Sequence, residues 1–285
     1  MTTGPAQDTL ETLWDDGEFV LSRVRHGADR PTLSVRLAAA QPTAASLARL
    51  EHAHALRNDL DAAWAARPTD LIGPRGRLSL RLEDPGGWVL AALLGKPWNV
   101  GDFLRAAAGV VSALTGLHQR GLVHRDVRPS NILVDVATGQ AWLMGFGLTT
   151  RLAREHRTQS PAQGIVGTFA TMAPEATGRM NRSVDTRSDL YSLGVTLYEM
   201  LTGTPPFRAS DPLEWIHCHT ARQPVPPGER VVGIPAILSA ILLKLMAKNP
   251  EDRYQTARGV GADLWHHGLV ARQRSGSDGD RGTAP

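Results

Sequence analysis

His124-Arg125-Asp126-Val127-Arg128-Pro129-Ser130-Asn131-Ile132-Leu133 is the stretch whose reading decides the fold. It spaces a carboxylate at Asp126 and a carboxamide at Asn131 five residues apart, between two apolar segments. Residues 132–134 (ILV) and 141–144 (AWLM) read as a short strand pair around the Ala137-Thr138-Gly139 turn. Apolar spacing predicts helices over about 100–120, 187–202, 211–221, 235–248 and 256–267. The plain alternative for residues 124–133 is a polar surface loop. Four downstream motifs weigh against that alternative: Gly167-Thr168, Ala173-Pro174-Glu175, Asp189-Leu190-Tyr191-Ser192-Leu193-Gly194, and Arg253 within EDRYQT.

Toward the N-terminus the character changes. FVLSRV (19–24) and TLSVRL (32–37) alternate as half-buried strands do, with a turn over Arg25–Pro31, and RLSLRLE (77–83) reads as another strand. Leu47, Leu50, Ala53, Leu56 and Leu60 recur at helical spacing across 43–60, and Thr43 is placed to cap that helix. Pro85-Gly86-Gly87 then breaks the chain. The layout is α+β and bilobal: a small β-rich lobe over 10–84 and a larger helical lobe over 85–270, with polar ends at 1–9 and 271–285 expected to be disordered.

These motifs, in this order, resemble the Ser/Thr protein-kinase domain, most densely over 123–257. The resemblance implies that Asp126 accepts the substrate hydroxyl proton, that Asn131 binds Mg²⁺, and that Arg128, standing where the family has Lys, meets the γ-phosphate. It also implies structural roles for His124, Arg125, Phe146, Glu175, Asp189 and Arg253. Glu175 and Arg253 would form a buried pair, and Asp189 would brace the catalytic-loop backbone. The run GTFATMAPEATGRMNRSVDTRSDLYSLGVTLYEMLTGTPPF is similar to the kinase domain that opens large bacterial hybrid proteins, which continue into an ATPase module, a GAF sensor and a histidine kinase.

The departures from that family lie where nucleotide would be handled. Its D-F-G motif reads Gly145-Phe146-Gly147, which removes the main Mg²⁺ carboxylate and leaves Asn131 as the one metal ligand. The chain has three lysines, Lys96, Lys244 and Lys248, so the small lobe has no strand lysine. By pattern Ser34 and Arg36 share the strand face that meets nucleotide, with Glu83 at the hinge; a solvent-facing Arg36 is the competing reading. The glycine-rich loop would fall at Leu13, Asp15 and Glu18, where acidic residues oppose a triphosphate. With Leu82 as gatekeeper, the adenine-binding amide would be that of Pro85, which has none. The helix glutamate falls at Glu51 or at the position of His54.

Composition narrows the remaining classes. Hydrophobic residues are 42% and charged residues 21%, ordinary for a globular chain. The net charge of +3 comes with no Lys/Arg run of the kind that marks nucleic-acid binding. Cys218 is the one cysteine, so no intrachain disulfide forms. No apolar stretch reaches the ~18–20 residues of a membrane span, and the N-terminus lacks signal-peptide character. A cytoplasmic protein with a protein partner or substrate is expected. Three functions stay open: a pseudokinase acting as a regulatory or binding scaffold, an active divergent Ser/Thr kinase using ATP and Mg²⁺, and a metal-free nucleotide sensor. Thr158 and Ser160 are candidate phosphosites facing Arg125.

Overall fold

Alternating apolar residues build the small lobe around one sheet. In chain order it comprises β1 (Thr9–Asp15), β2 (Phe19–Arg25), β3 (Thr32–Leu37), α1 (Ala44–Ala55), β4 (Pro68–Ile72) and β5 (Ser79–Glu83). The strands pair antiparallel in the order β1-β2-β3-β5-β4. This computed structural model describes residues 9–25, 27, 30–74, 77–152, 168–178 and 182–266. Gly167, Thr158, Ser160 and nearly all of the two expected disordered ends lie outside the described residues.

Register decides which side chains face inward. Leu21, Val35 and Leu80 stand directly opposite one another across β2, β3 and β5, and so do Arg23, Leu33 and Leu82. Cross-strand partners share a face, so one charged residue, Arg23, stands in an otherwise apolar row. Leu21, Leu33, Leu80 and Leu82 are buried there against Leu50 and Ala53 of α1. Thr43 caps α1, its Oγ1 accepting from the Ser46 amide at 3.1 Å. The helix stops at Ala55, short of the predicted residue 60, although Leu56 and Leu60 remain buried. Two strands of this lobe escaped the sequence reading. β1 presents mostly exposed residues, and β4 opens on a proline, which a strand tolerates at its first position.

The large lobe follows the predicted helices closely. After β6 (Trp88–Val89) come α2 (Val100–Gln119), β7 (Leu122–Val123), β8 (Ile132–Val134), β9 (Ala141–Leu143) and β10 (Thr150–Arg151). The helices α3 (Thr186–Thr202), α4 (Pro212–Thr220), α5 (Pro227–Arg230), α6 (Ala236–Leu245) and α7 (257–266) complete it. α3 is the central element. Asp185 caps it in a reciprocal box with Ser188, and nearly every residue along it is buried. α2 corrects one expectation: by length and composition it is apolar enough to cross a membrane. Phe103, Ala106, Ala107, Val110, Leu114 and Leu117 are buried along it, and it packs on β7, β8, β9 and α3 as a core helix.

Candidate functional site

The catalytic-loop stretch is held by α3. Asp189 accepts from the His124 and Arg125 amides, both at 2.8 Å, and lies 2.9 Å from His118 Nε2. Arg125 needs this support because its φ of 67° is left-handed, a conformation costing an L-residue roughly 1–2 kcal/mol. The His124 ring is fully buried, with Nε2 3.0 Å from the Met144 carbonyl and the ring 5.3 Å from that of Phe146. Burial holds its pKa below the ordinary imidazole value, against the pull of Asp189 and Asp126. His124 Nδ1 accepts from the Asp126 amide at 3.2 Å. A neutral ring with its proton on Nε2 satisfies both contacts.

Asp126 is buried and heavily engaged. Asn131 Nδ2 donates to its carboxylate and to its backbone oxygen, both at 2.9 Å. Thr168 Oγ1 donates to the other carboxylate oxygen at 3.2 Å. Two guanidiniums approach as well: Arg49 Nη2 of α1 at 3.3 Å and Arg128 Nε at 3.4 Å.

The same two arginines hold the β1–β2 turn. Arg128 Nη2 donates to Asp16 at 2.8 Å, and Arg49 Nη1 donates to Glu18 at 2.8 Å, with Ser46 Oγ on the other Glu18 oxygen. Arg49 also lies over the Phe19 ring at 4.9 Å. Burial opposes ionisation of Asp16, but the Phe19 amide, Arg128 and the Glu18 amide outweigh it and hold its pKa below the usual carboxylate range. The acidic turn expected to face a triphosphate is thus bound down onto the catalytic loop. Asp16, Arg128, Asp126, Arg49 and Glu18 form one continuous ionic circuit.

At the metal position, Gly145 has φ 79°, and a Cβ there would sit 2.4 Å from Asn131 Cγ and Oδ1. Asn131 therefore fills the space where the family has a carboxylate. Mg²⁺ takes near-octahedral oxygen ligands, commonly through one or two carboxylates plus phosphates. Here the candidates are Asp126 and Asn131, bonded to each other and flanked by two cations. The residues present do not fit a Mg-ATP site.

The three nucleotide positions named from sequence fall elsewhere. Ser34 and Arg36 do share a face, but Leu33 and Val35 occupy the inward one. Arg36 is exposed and Ser34 Oγ pairs with Ser79 Oγ at 2.7 Å, so the cleft meets Val35 where a cation was sought. Glu83, half-exposed, pairs with Arg67 at 2.8 Å. On α1 the charged residue lining the cleft is Arg49, beside Leu50 and Ala53, while Glu51 is exposed. The hinge end is also engaged: Arg23 binds Asp84 through Nε at 2.5 Å and donates from Nη2 to the Gly87 carbonyl at 3.0 Å. Both side chains are nearly out of solvent.

Arg23 and Arg49 escaped the sequence reading, yet each carried a signal. Arg23 has the parity of Phe19 and Leu21 in its strand, and Arg49 lies four residues before Ala53 on the apolar stripe. The pairing of Arg128 with Asp16, 112 residues apart, left no local trace. Below the loop, Arg253 grips Glu175 with two bonds of 2.7 and 2.9 Å, each side chain essentially fully buried. Ser188 Oγ completes the Glu175 carboxylate at 2.7 Å.

Comparison with known proteins agrees with the fold. Residues 93–265 match the family described as protein kinase domain. The serine/threonine-protein kinase PknB of Mycobacterium tuberculosis H37Rv is 42% identical over 161 residues, 56% of this chain and 25% of that protein. Serine/threonine-protein kinase Pkn1 of Myxococcus xanthus is 38% identical over 188 residues, 65% of this chain and 26% of its own length. The chain spans about a quarter of the length of the curated relatives it matches.

Proposed function

The chain belongs to the protein kinase domain family, and from that premise we propose that it works as a pseudokinase, a kinase scaffold used to bind and regulate a protein partner. The observation that carries this reading is the ionic circuit at the phosphate end of the cleft. Carboxylates of Asp16 and Glu18 occupy the cations that phosphates would need, and Gly145 offers no metal ligand. Losing a metal ligand and a phosphate-binding lysine removes several kcal/mol of transition-state stabilisation each, judged by what preorganised electrostatics supply. From a family turnover of ~1–100 per second, that leaves a negligible rate. The lobes are taken as 10–84 and 85–270, in a cytoplasmic protein whose domain resembles the kinase domain that opens large bacterial hybrid proteins.

A second reading has its own support. Asp126 retains Asn131 and Thr168 as hydrogen-bond partners, the arrangement an active Ser/Thr kinase would use with ATP and Mg²⁺. Transfer of radiolabelled γ-phosphate to a generic protein substrate separates the two. The pseudokinase reading expects no incorporation above that of the Asp126→Asn variant. Incorporation abolished by Asp126→Asn would establish the active kinase instead.

A further inference from the structure

The ionic circuit closes one end of the cleft and the Arg23–Asp84 pair engages the other. Between them lies about 640 Å³ of empty space, part of it open to solvent. Its walls are largely apolar, with Phe19, Val35, Leu50, Ala53, Leu82 and Met144 among them. Three donors on those walls are unmet: Trp14 Nε1, Arg49 Nε and Arg128 Nε are buried and have no hydrogen-bond acceptor among the described residues, Arg128 Nε facing Asp126 only as an ion pair at 3.4 Å. Buried donors without partners are uncommon in folded proteins, and an acceptor brought in by a ligand would satisfy them.

Charge selects the kind of acceptor. Around the cleft mouth two guanidiniums, Arg49 and Arg128, face three carboxylates, Asp16, Glu18 and Asp126. The cluster already carries one excess negative charge, so a phosphate or carboxylate ligand would add to a like-charged site. A neutral carbonyl oxygen supplies the acceptor without that cost. We propose that the cleft binds an uncharged, mostly aromatic or aliphatic ligand through a carbonyl oxygen, without metal, the carbonyl accepting from Trp14 Nε1 or Arg49 Nε. This rests on the pseudokinase reading of the same cleft.

Benzophenone, a neutral diaryl ketone, and diphenylmethane, its carbonyl-free counterpart, form the test pair. The measurement is a thermal-shift titration of the full chain with each, beside benzoate and Mg-ATP. Irradiation of the benzophenone complex and peptide mapping then locate the site. The expected result is saturable stabilisation by benzophenone at about tenfold lower concentration than diphenylmethane, the effect of one hydrogen bond. Crosslinks should fall on peptides containing Leu50 or Met144. Trp14→Phe, which keeps an aromatic ring and removes the N–H, should narrow the difference between the two compounds. Equal affinity for both, crosslinks outside the cleft, or tighter binding of benzoate than of the ketone would overturn the proposal. If neither benzophenone nor Mg-ATP stabilises the chain, the ligand inference fails alone. If Mg-ATP stabilises it and benzophenone does not, the pseudokinase reading fails as well.

Discussion

The two lobes treat their buried charges in opposite ways. In the large lobe, Glu175 with Arg253 and Asp189 with the His124 and Arg125 amides join elements of that one lobe and fix backbone and motif in place. At the cleft, charges of the same kinds reach from one lobe to the other. Arg49 and Arg128 tie the β1–β2 turn to the catalytic loop, and Arg23 ties β2 to the hinge. One lobe keeps the ionic pairs that hold a kinase together. The other puts its ionic pairs where a kinase would keep room for nucleotide. The family match itself begins at residue 93 and so covers the large lobe.

The largest effect should come from breaking the large lobe's pair. Glu175→Ala leaves the Arg253 guanidinium buried without its carboxylate, and urea unfolding should show a loss of about 3–5 kcal/mol. A smaller loss would mean that the pair is replaceable and that the contrast between lobes is one of position alone.

Acid should come next. His219 is buried against Tyr191, and burial, reinforced by Lys248, brings its pKa down to about 4. The unfolded ring titrates near 6.5, so between those values the unfolded state binds the extra proton and stability falls as pH drops. Unfolding at pH 4.5 against pH 7 should show a loss on the order of 2–3 kcal/mol from this group. The lowered pKa of His124 acts in the same direction. A chain equally stable at both values would place these rings in water.

Restoring the missing carboxylate is the smaller change and the sharper one for the cleft. Gly145→Asp meets the left-handed backbone and the Asn131 side chain. It should cost about 2 kcal/mol, by backbone strain and overpacking together. It should yield no phosphotransfer, because Val35 and the acidic turn remain. Transfer activity gained by this one substitution would mean that the cleft lacks only its metal ligand.

Much of this contrast was legible in the sequence, unevenly. Glu175, Asp189 and Arg253 could be named because their roles depend on short, ordered motifs. The central helix and α2 could be drawn because their apolar faces span several turns. Gly145 and the absent small-lobe lysine were plain as well, since a missing residue needs no geometry. What replaced them was harder to read. Arg36 was assigned to the cleft by register, and a one-residue difference in strand parity turned it outward and brought Val35 in. Arg128 with Asp16 and Arg49 with Asp126 join residues more than 70 positions apart, and no pattern within either segment announces such a pair.

Mg-ATP affinity measures the central difference between the lobes most directly. A thermal-shift titration with ATP, with and without Mg²⁺, should leave the melting temperature unchanged in both series. A saturable, Mg²⁺-dependent rise, equivalent to about 2.7 kcal/mol at a hundredfold excess over the dissociation constant, would contradict it. The acidic turn would then be a latch that nucleotide displaces.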